Sequence, residues 1–176
     1  MRVARRTILK GALGLGVLAA APSARADELA PRALSLLNLH TGERLSATYF
    51  EAGAYLPDAL AALDRLLRDF RTGASHPMAP RLLDLVTALG DRLDTRQTVH
   101  VISGYRSPQT NAALRAHSDG VAARSLHMDG MAMDIRIPGI ELAHLRDAAL
   151  GLQRGGVGFY SGSGFVHVDV GRIRRW

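Results

Sequence analysis

The chain contains no cysteine. Disulfide frameworks and thiolate metal sites are therefore excluded, and any metal must be held by His, Asp or Glu. Internal repeats are absent, and no composition shift marks a second folded domain. The uncharged run over residues 11–21 is too short to span a bilayer comfortably, since a helical span needs roughly 20 apolar residues. Acidic residues are missing altogether from the first 26 positions.

That last absence explains a misleading charge. A formal net charge of +6 and a pI near 10.7 resemble those of a nucleic-acid binder. Five of the 22 basic residues, Arg2, Arg5, Arg6, Lys10 and Arg25, lie within the acid-free segment, leaving 17 against 16 acids in the rest. The remainder lacks the positive footprint of a DNA or RNA binder, so no nucleic-acid partner is expected. The segment itself has the layout of an export signal. Arg5 and Arg6 form a twin-arginine start, the short apolar run follows, and Ala24 and Ala26 supply small residues at a cleavage site before Asp27. Residues 1–26 are therefore expected to be a twin-arginine signal peptide recognised by the corresponding export machinery. Residues 27–176 are expected to be one domain working in the periplasm as a monomer, with no membrane span after cleavage.

What is present fits a soluble fold, with 47% hydrophobic residues among 176. Residues 33–39 and 44–50 read as a β-hairpin turning at Gly42. Leucines recurring at three and four residues predict an amphipathic helix over residues 58–71 and, after a Gly- and Pro-containing loop over 72–80, a second helix with Leu82, Leu85, Val86, Leu89 and Leu93 on one face. Residues 98–102 form a β-branched strand, and Pro108 opens a short helix. Residues 132–137, 155–160 and 165–170 read as strands, with a helix over 141–152. The pattern is α+β: a small antiparallel sheet carrying the functional residues, with helices packed on one side.

Those functional residues form a compact pattern. Ser125-Leu-His127-Met-Asp-Gly130-Met-Ala132-Met-Asp134 sets an imidazole and a carboxylate seven residues apart, and Phe165-Val-His167-Val-Asp169 places a second imidazole on a strand. Alternation there puts His167 and Asp169 on one face and Val166, Val168 and Val170 on the other. Two histidines and an aspartate would hold a zinc ion with one position open, as catalytic zinc sites do. Asp169 lies about 6.5 to 7 Å along the strand from His167, close enough to act either as a base or as a group orienting a ligand imidazole. Arg106 can grip a carboxylate or a developing oxyanion through its planar fork. Ser125 and Tyr160 are candidates to contact substrate, as, more weakly, are Tyr105, Gln109 and Asn111. His117 is a further candidate base, Asp129 points out of the ligand register, and Gly130 allows a sharp turn between ligands.

Ser103-Gly-Tyr-Arg106, the Ser125-to-Asp134 motif and His167-x-Asp169 together resemble the zinc murein peptidases that include D-Ala-D-Ala carboxypeptidases and are grouped with lysostaphin and the hedgehog signalling domain. Residues 155–160 and 165–172 are most similar to the MepK-like murein endopeptidases within that group. The resemblance, over roughly residues 30–176, implies one Zn²⁺ held by His127, Asp134 and His167, an arginine at position 106 and peptidoglycan stem peptides as substrate. It also implies hydrolysis of cross-links, in this subgroup those joining two diaminopimelate residues. The sequence departs from the group at the catalytic base. Many relatives carry an acid three residues before the last histidine, where Gly164 stands here, and the lysostaphin branch uses a histidine where this chain has Phe165. A non-catalytic zinc-stabilised cell-wall binding module is the alternative that this departure keeps open, alongside a D,D- or L,D-carboxypeptidase or an amidase.

Overall fold

The computed structural model describes residues 29–117 and 120–176, so the expected export signal lies outside the described residues. Among the described residues, no helix is long and apolar enough to cross a membrane. Strands β1 (Arg32–Asn38) and β2 (Arg44–Glu51) form the expected hairpin, extended by the two-residue β3 (Ala54–Tyr55). Helices α1 (Pro57–Leu66) and α2 (Pro80–Arg92) follow, each with proline in the first turn, where the missing N–H costs nothing. Then come β4 (Val99–Ser103), α3 (Pro108–His117), a 3-10 turn (Leu126–Asp129), β5 (Ala132–Arg136) and α4 (Leu142–Leu152). Strand β6 (Gly156–Tyr160), a second 3-10 turn (Ser161–Ser163), β7 (Phe165–Asp169) and β8 (Arg174–Arg175) complete the chain.

All eight strands belong to one sheet, ordered β3-β2-β1-β4-β5-β7-β6-β8. The expectation of a small antiparallel sheet is corrected here: β1 pairs parallel with β4, and β6 with β8. A parallel neighbour requires a crossover, and α1 and α2 supply the one between β1 and β4. Side-chain alternation records which face a residue takes but not which way its strand runs, so the sequence is silent on this point.

The two faces of the central strands differ sharply. Met133 and Ile135 of β5 and Val166 and Val168 of β7 are fully buried and join Leu63, Leu82, Leu83, Leu89 and Leu145 of the helices in one core. Each such side chain contributes about 1.5 to 3 kcal/mol by leaving water. The alternate residues Asp134, His167 and Asp169 occupy the opposite face and are also buried.

Helix α1 stops five residues before the expected end at Arg71. The chain bends at Leu67 because the following segment is committed to other bonds. The Leu67 carbonyl accepts from Tyr105 N–H at 2.8 Å, and buried Asp69 accepts from the Ser107 N–H at 2.9 Å and its hydroxyl at 2.6 Å. These bonds fasten the loop that carries Arg106.

Candidate metal centre

Antiparallel pairing of β5 with β7 sets Asp134 directly opposite His167. The Asp134 Oδ1 lies 2.9 Å from His167 Nδ1 and 3.3 Å from His127 Nε2, and the two imidazole nitrogens are 3.2 Å apart. His127 reaches this point from the 3-10 turn, which Gly130 closes in the left-handed region at φ +65°. Any side chain at Gly130 would run into the Pro77 carbonyl, so position 130 needs glycine for both conformation and space.

Each imidazole has its far nitrogen engaged. His127 Nδ1–H donates to the Gly104 carbonyl at 2.7 Å, and His167 Nε2 lies 3.2 Å from Asp169 Oδ2. A carbonyl can only accept, so the Gly104 bond keeps the His127 proton on Nδ1 and leaves Nε2 free to ligate; His167 lies between two carboxylates, and with its proton turned to Asp169 its Nδ1 is free to ligate beside Asp134. One donor atom from each of His127, Asp134 and His167 lies within 4.8 Å of the others. Two neutral imidazoles and a carboxylate, buried and convergent, suit a divalent metal ion.

Charge reinforces the arrangement. Burial alone would raise the Asp134 carboxyl, but the His127 and His167 imidazoles outweigh it and hold the group well below the usual carboxylate range. Burial would likewise lower His167, and the Asp134 and Asp169 carboxylates reverse that to a net upward shift. Arg106 flanks the centre with Nη2 3.8 Å from Asp134 Oδ2. It is largely buried, its Nε has no hydrogen-bond partner, and desolvation lowers its pKa against the pull of Asp134.

Asp169 sits on the far edge of the His167 ring from Asp134. Its side chain is fully buried, and besides His167 it accepts from the Gly156 and Gly171 N–H groups at 3.0 and 2.8 Å and from Arg174. Burial would raise this carboxyl, but the His167 bond, the two N–H groups and Arg174 hold it low. Of the two roles left open by sequence, this geometry fits orientation of His167.

Ser125 is buried immediately before the 3-10 turn. Tyr160 closes β6, stacked on Phe165 with ring centroids 4.7 Å apart. Tyr105 stacks on His76, Asn111 is buried and donates to the Ala122 carbonyl, and Gln109 and Asp129 are exposed. His117 is exposed at the end of α3 with Nδ1 2.8 Å from the Ala113 carbonyl. Gly164 lies in the left-handed region at φ +74° in the β6–β7 turn. Sequence reasoning missed the Gly104 carbonyl, Arg174 and Trp176, whose indole centroid is 5.2 Å from that of His167.

Convergent His, Asp and His donors on the sheet face opposite the core, with an arginine beside them, are what a metallopeptidase of α+β fold requires. Comparison with known proteins places the sequence more closely: residues 26–176 match the family described as peptidoglycan L,D-endopeptidase MepK, and the chain belongs to that family. It is 45% identical over 165 residues to peptidoglycan L,D-endopeptidase MepK of Escherichia coli, covering 94% of this chain and 91% of that protein. The Shigella flexneri protein of the same name gives the same figures, and the probable peptidoglycan L,D-endopeptidase MepK of Haemophilus influenzae is 42% identical over 166 residues, 94% of this chain and 89% of that protein. No solved structure gives a significant match.

Proposed function

We propose that the protein is a zinc-dependent murein endopeptidase that hydrolyses peptide cross-links of peptidoglycan outside the cytoplasm. The observation that carries this reading is the convergence of His127 Nε2, Asp134 and His167 Nδ1, with the far nitrogen of each imidazole engaged from behind. Family membership supplies the substrate class, and the names of the relatives support the L,D type of cross-link, between two diaminopimelate residues. The twin-arginine pattern supports export to the periplasm.

His127, Asp134 and His167 would hold the ion. Bound there, zinc supplies Lewis acidity that polarises the scissile carbonyl and makes water acidic enough to attack near neutral pH. Arg106, desolvated and adjacent, is suited to grip a substrate carboxylate or the oxyanion that develops during attack. Asp169 is a positioning residue: it holds the His167 ring and keeps its proton on Nε2. Ser125, buried just before the turn that carries His127, and Tyr160, at the end of β6, are assigned to substrate contact.

Incubation of the purified protein with murein sacculi, followed by separation of the released muropeptides, tests the proposal. Zinc-dependent loss of cross-linked dimers, abolished in His127→Ala, is the expected result. Unchanged dimers with zinc supplied would instead favour the zinc-stabilised binding module, and loss of terminal residues alone would favour a carboxypeptidase.

A further inference from the structure

Arg174 of β8 and Trp176, the residue that follows the strand, both reach the metal centre. The backbone of β8 is paired parallel with β6, and Trp176 adds bonds from its N–H to the Val157 carbonyl and from the Phe159 N–H to its own carbonyl. Arg174 thereby faces Asp169, with Nη2 2.7 Å from Oδ2 and Nη1 3.2 Å from Oδ1, a fork against the two carboxylate oxygens. Trp176 lies across Gly158, where a β-carbon would come within 2.7 Å of the indole, and donates from Nε1 to the Tyr160 hydroxyl at 2.8 Å. Gly158 is the residue paired with His167 across the sheet. A bulkier residue there would displace the indole from its place against the imidazole.

We propose that Arg174 and Trp176 belong to the metal centre: Arg174 is a positioning residue acting on His167 through Asp169, and Trp176 packs against that imidazole. This rests on the metal-binding reading above. Asp169 is fully buried, and a buried carboxylate is tolerated only when paired and hydrogen-bonded. Among the described residues Arg174 supplies the guanidinium that pairs with it, and Lys could not reproduce the fork. A fixed, anionic Asp169 keeps the imidazole proton on Nε2, which makes Nδ1 a better donor to a cation.

Trp176 is the one tryptophan of the chain and so provides the readout. Zinc ion added to the purified metal-free protein is expected to change its emission, and competition with a chromophoric chelator gives the affinity. Arg174→Ala should bind zinc about 10- to 100-fold more weakly, the range found for partners that orient metal-ligating histidines. Arg174→Lys should fall between the two. Asp169→Asn combined with Arg174→Ala should be no weaker than Asp169→Asn alone, because the arginine acts through that carboxylate. Circular dichroism establishes folding of each variant; should Arg174→Ala not fold, Arg174→Lys carries the test, and unchanged affinity in it overturns the proposal. Wild-type affinity retained in folded Arg174→Ala, or losses that multiply in the double variant, would also overturn it while leaving the metal reading intact. A wild-type protein that takes up no zinc would contradict both.

Discussion

The two histidines at the centre are held in different ways. His127 stands on a 3-10 turn and is braced by a peptide carbonyl, that of Gly104, whose own position follows from tight packing on Leu67. His167 stands on a central strand and is braced by a chain of charged side chains, Asp169 and then Arg174. A carbonyl cannot be mutated away and carries no net charge, so the first imidazole depends on backbone packing. The second depends on electrostatics, and single side-chain substitutions can loosen it. The proposed metal site thus joins a mechanically fixed ligand to an electrostatically adjusted one.

This contrast can be broken at several levels. The largest effect is expected from the ligands themselves: His127→Ala or His167→Ala removes a donor from a set of three, so zinc uptake by metal analysis and muropeptide release should both fall to background. Next is the charged brace. Asp169→Asn should weaken zinc binding about 10- to 100-fold by chelator competition, with its melting temperature less affected than its affinity. The mechanical brace should show the reverse balance. In Gly104→Ala the new β-carbon would lie 2.5 Å from the Leu67 carbonyl oxygen, so unfolding measurements should find a loss of about 1 to 3 kcal/mol. Arg106→Lys keeps the charge and loses the planar fork, and should lower kcat/KM on cross-linked muropeptides while leaving zinc affinity unchanged.

The smallest effect concerns Asp69, which fastens the Arg106 loop. Burial alone would raise its carboxyl, but hydrogen bonds from the side chains of Ser107 and Thr110 and from the Ser107 and Arg71 N–H groups hold it at about 2. A depressed carboxyl stabilises the fold above its unfolded-state pKa, and that contribution disappears as pH falls through the folded value. Asp69→Asn should therefore melt below wild type at neutral pH, and the gap should narrow as pH drops from about 4 toward about 2. A gap independent of pH would show that the ionised form is not what holds the loop.

The grouping of His127, Asp134 and His167 was legible from the Ser125-to-Asp134 motif, the strand-borne His167 and the resemblance they carry together. The amphipathic helices were legible from their leucine stripes. The braces were not. A backbone acceptor such as the Gly104 carbonyl leaves no mark on residue identity, and Arg174 meets Asp169 only because β8 runs parallel to β6, a direction that alternation does not encode. Nor could periodicity foresee the end of α1, since Leu66 to Arg71 continues the apolar spacing while Asp69 is drawn off to Ser107. The role of Asp169, open between base and orienter on sequence alone, depends on which edge of an imidazole it meets, which is a three-dimensional fact.

The central claim is that one cation is gripped by His127 Nε2, His167 Nδ1 and Asp134. Crystals of the zinc-loaded protein, measured on both sides of the zinc absorption edge, test it directly. The account predicts a single anomalous peak about 2.0 to 2.2 Å from each of those three donors. A peak elsewhere, or one touching Asp169 in place of Asp134, would contradict it.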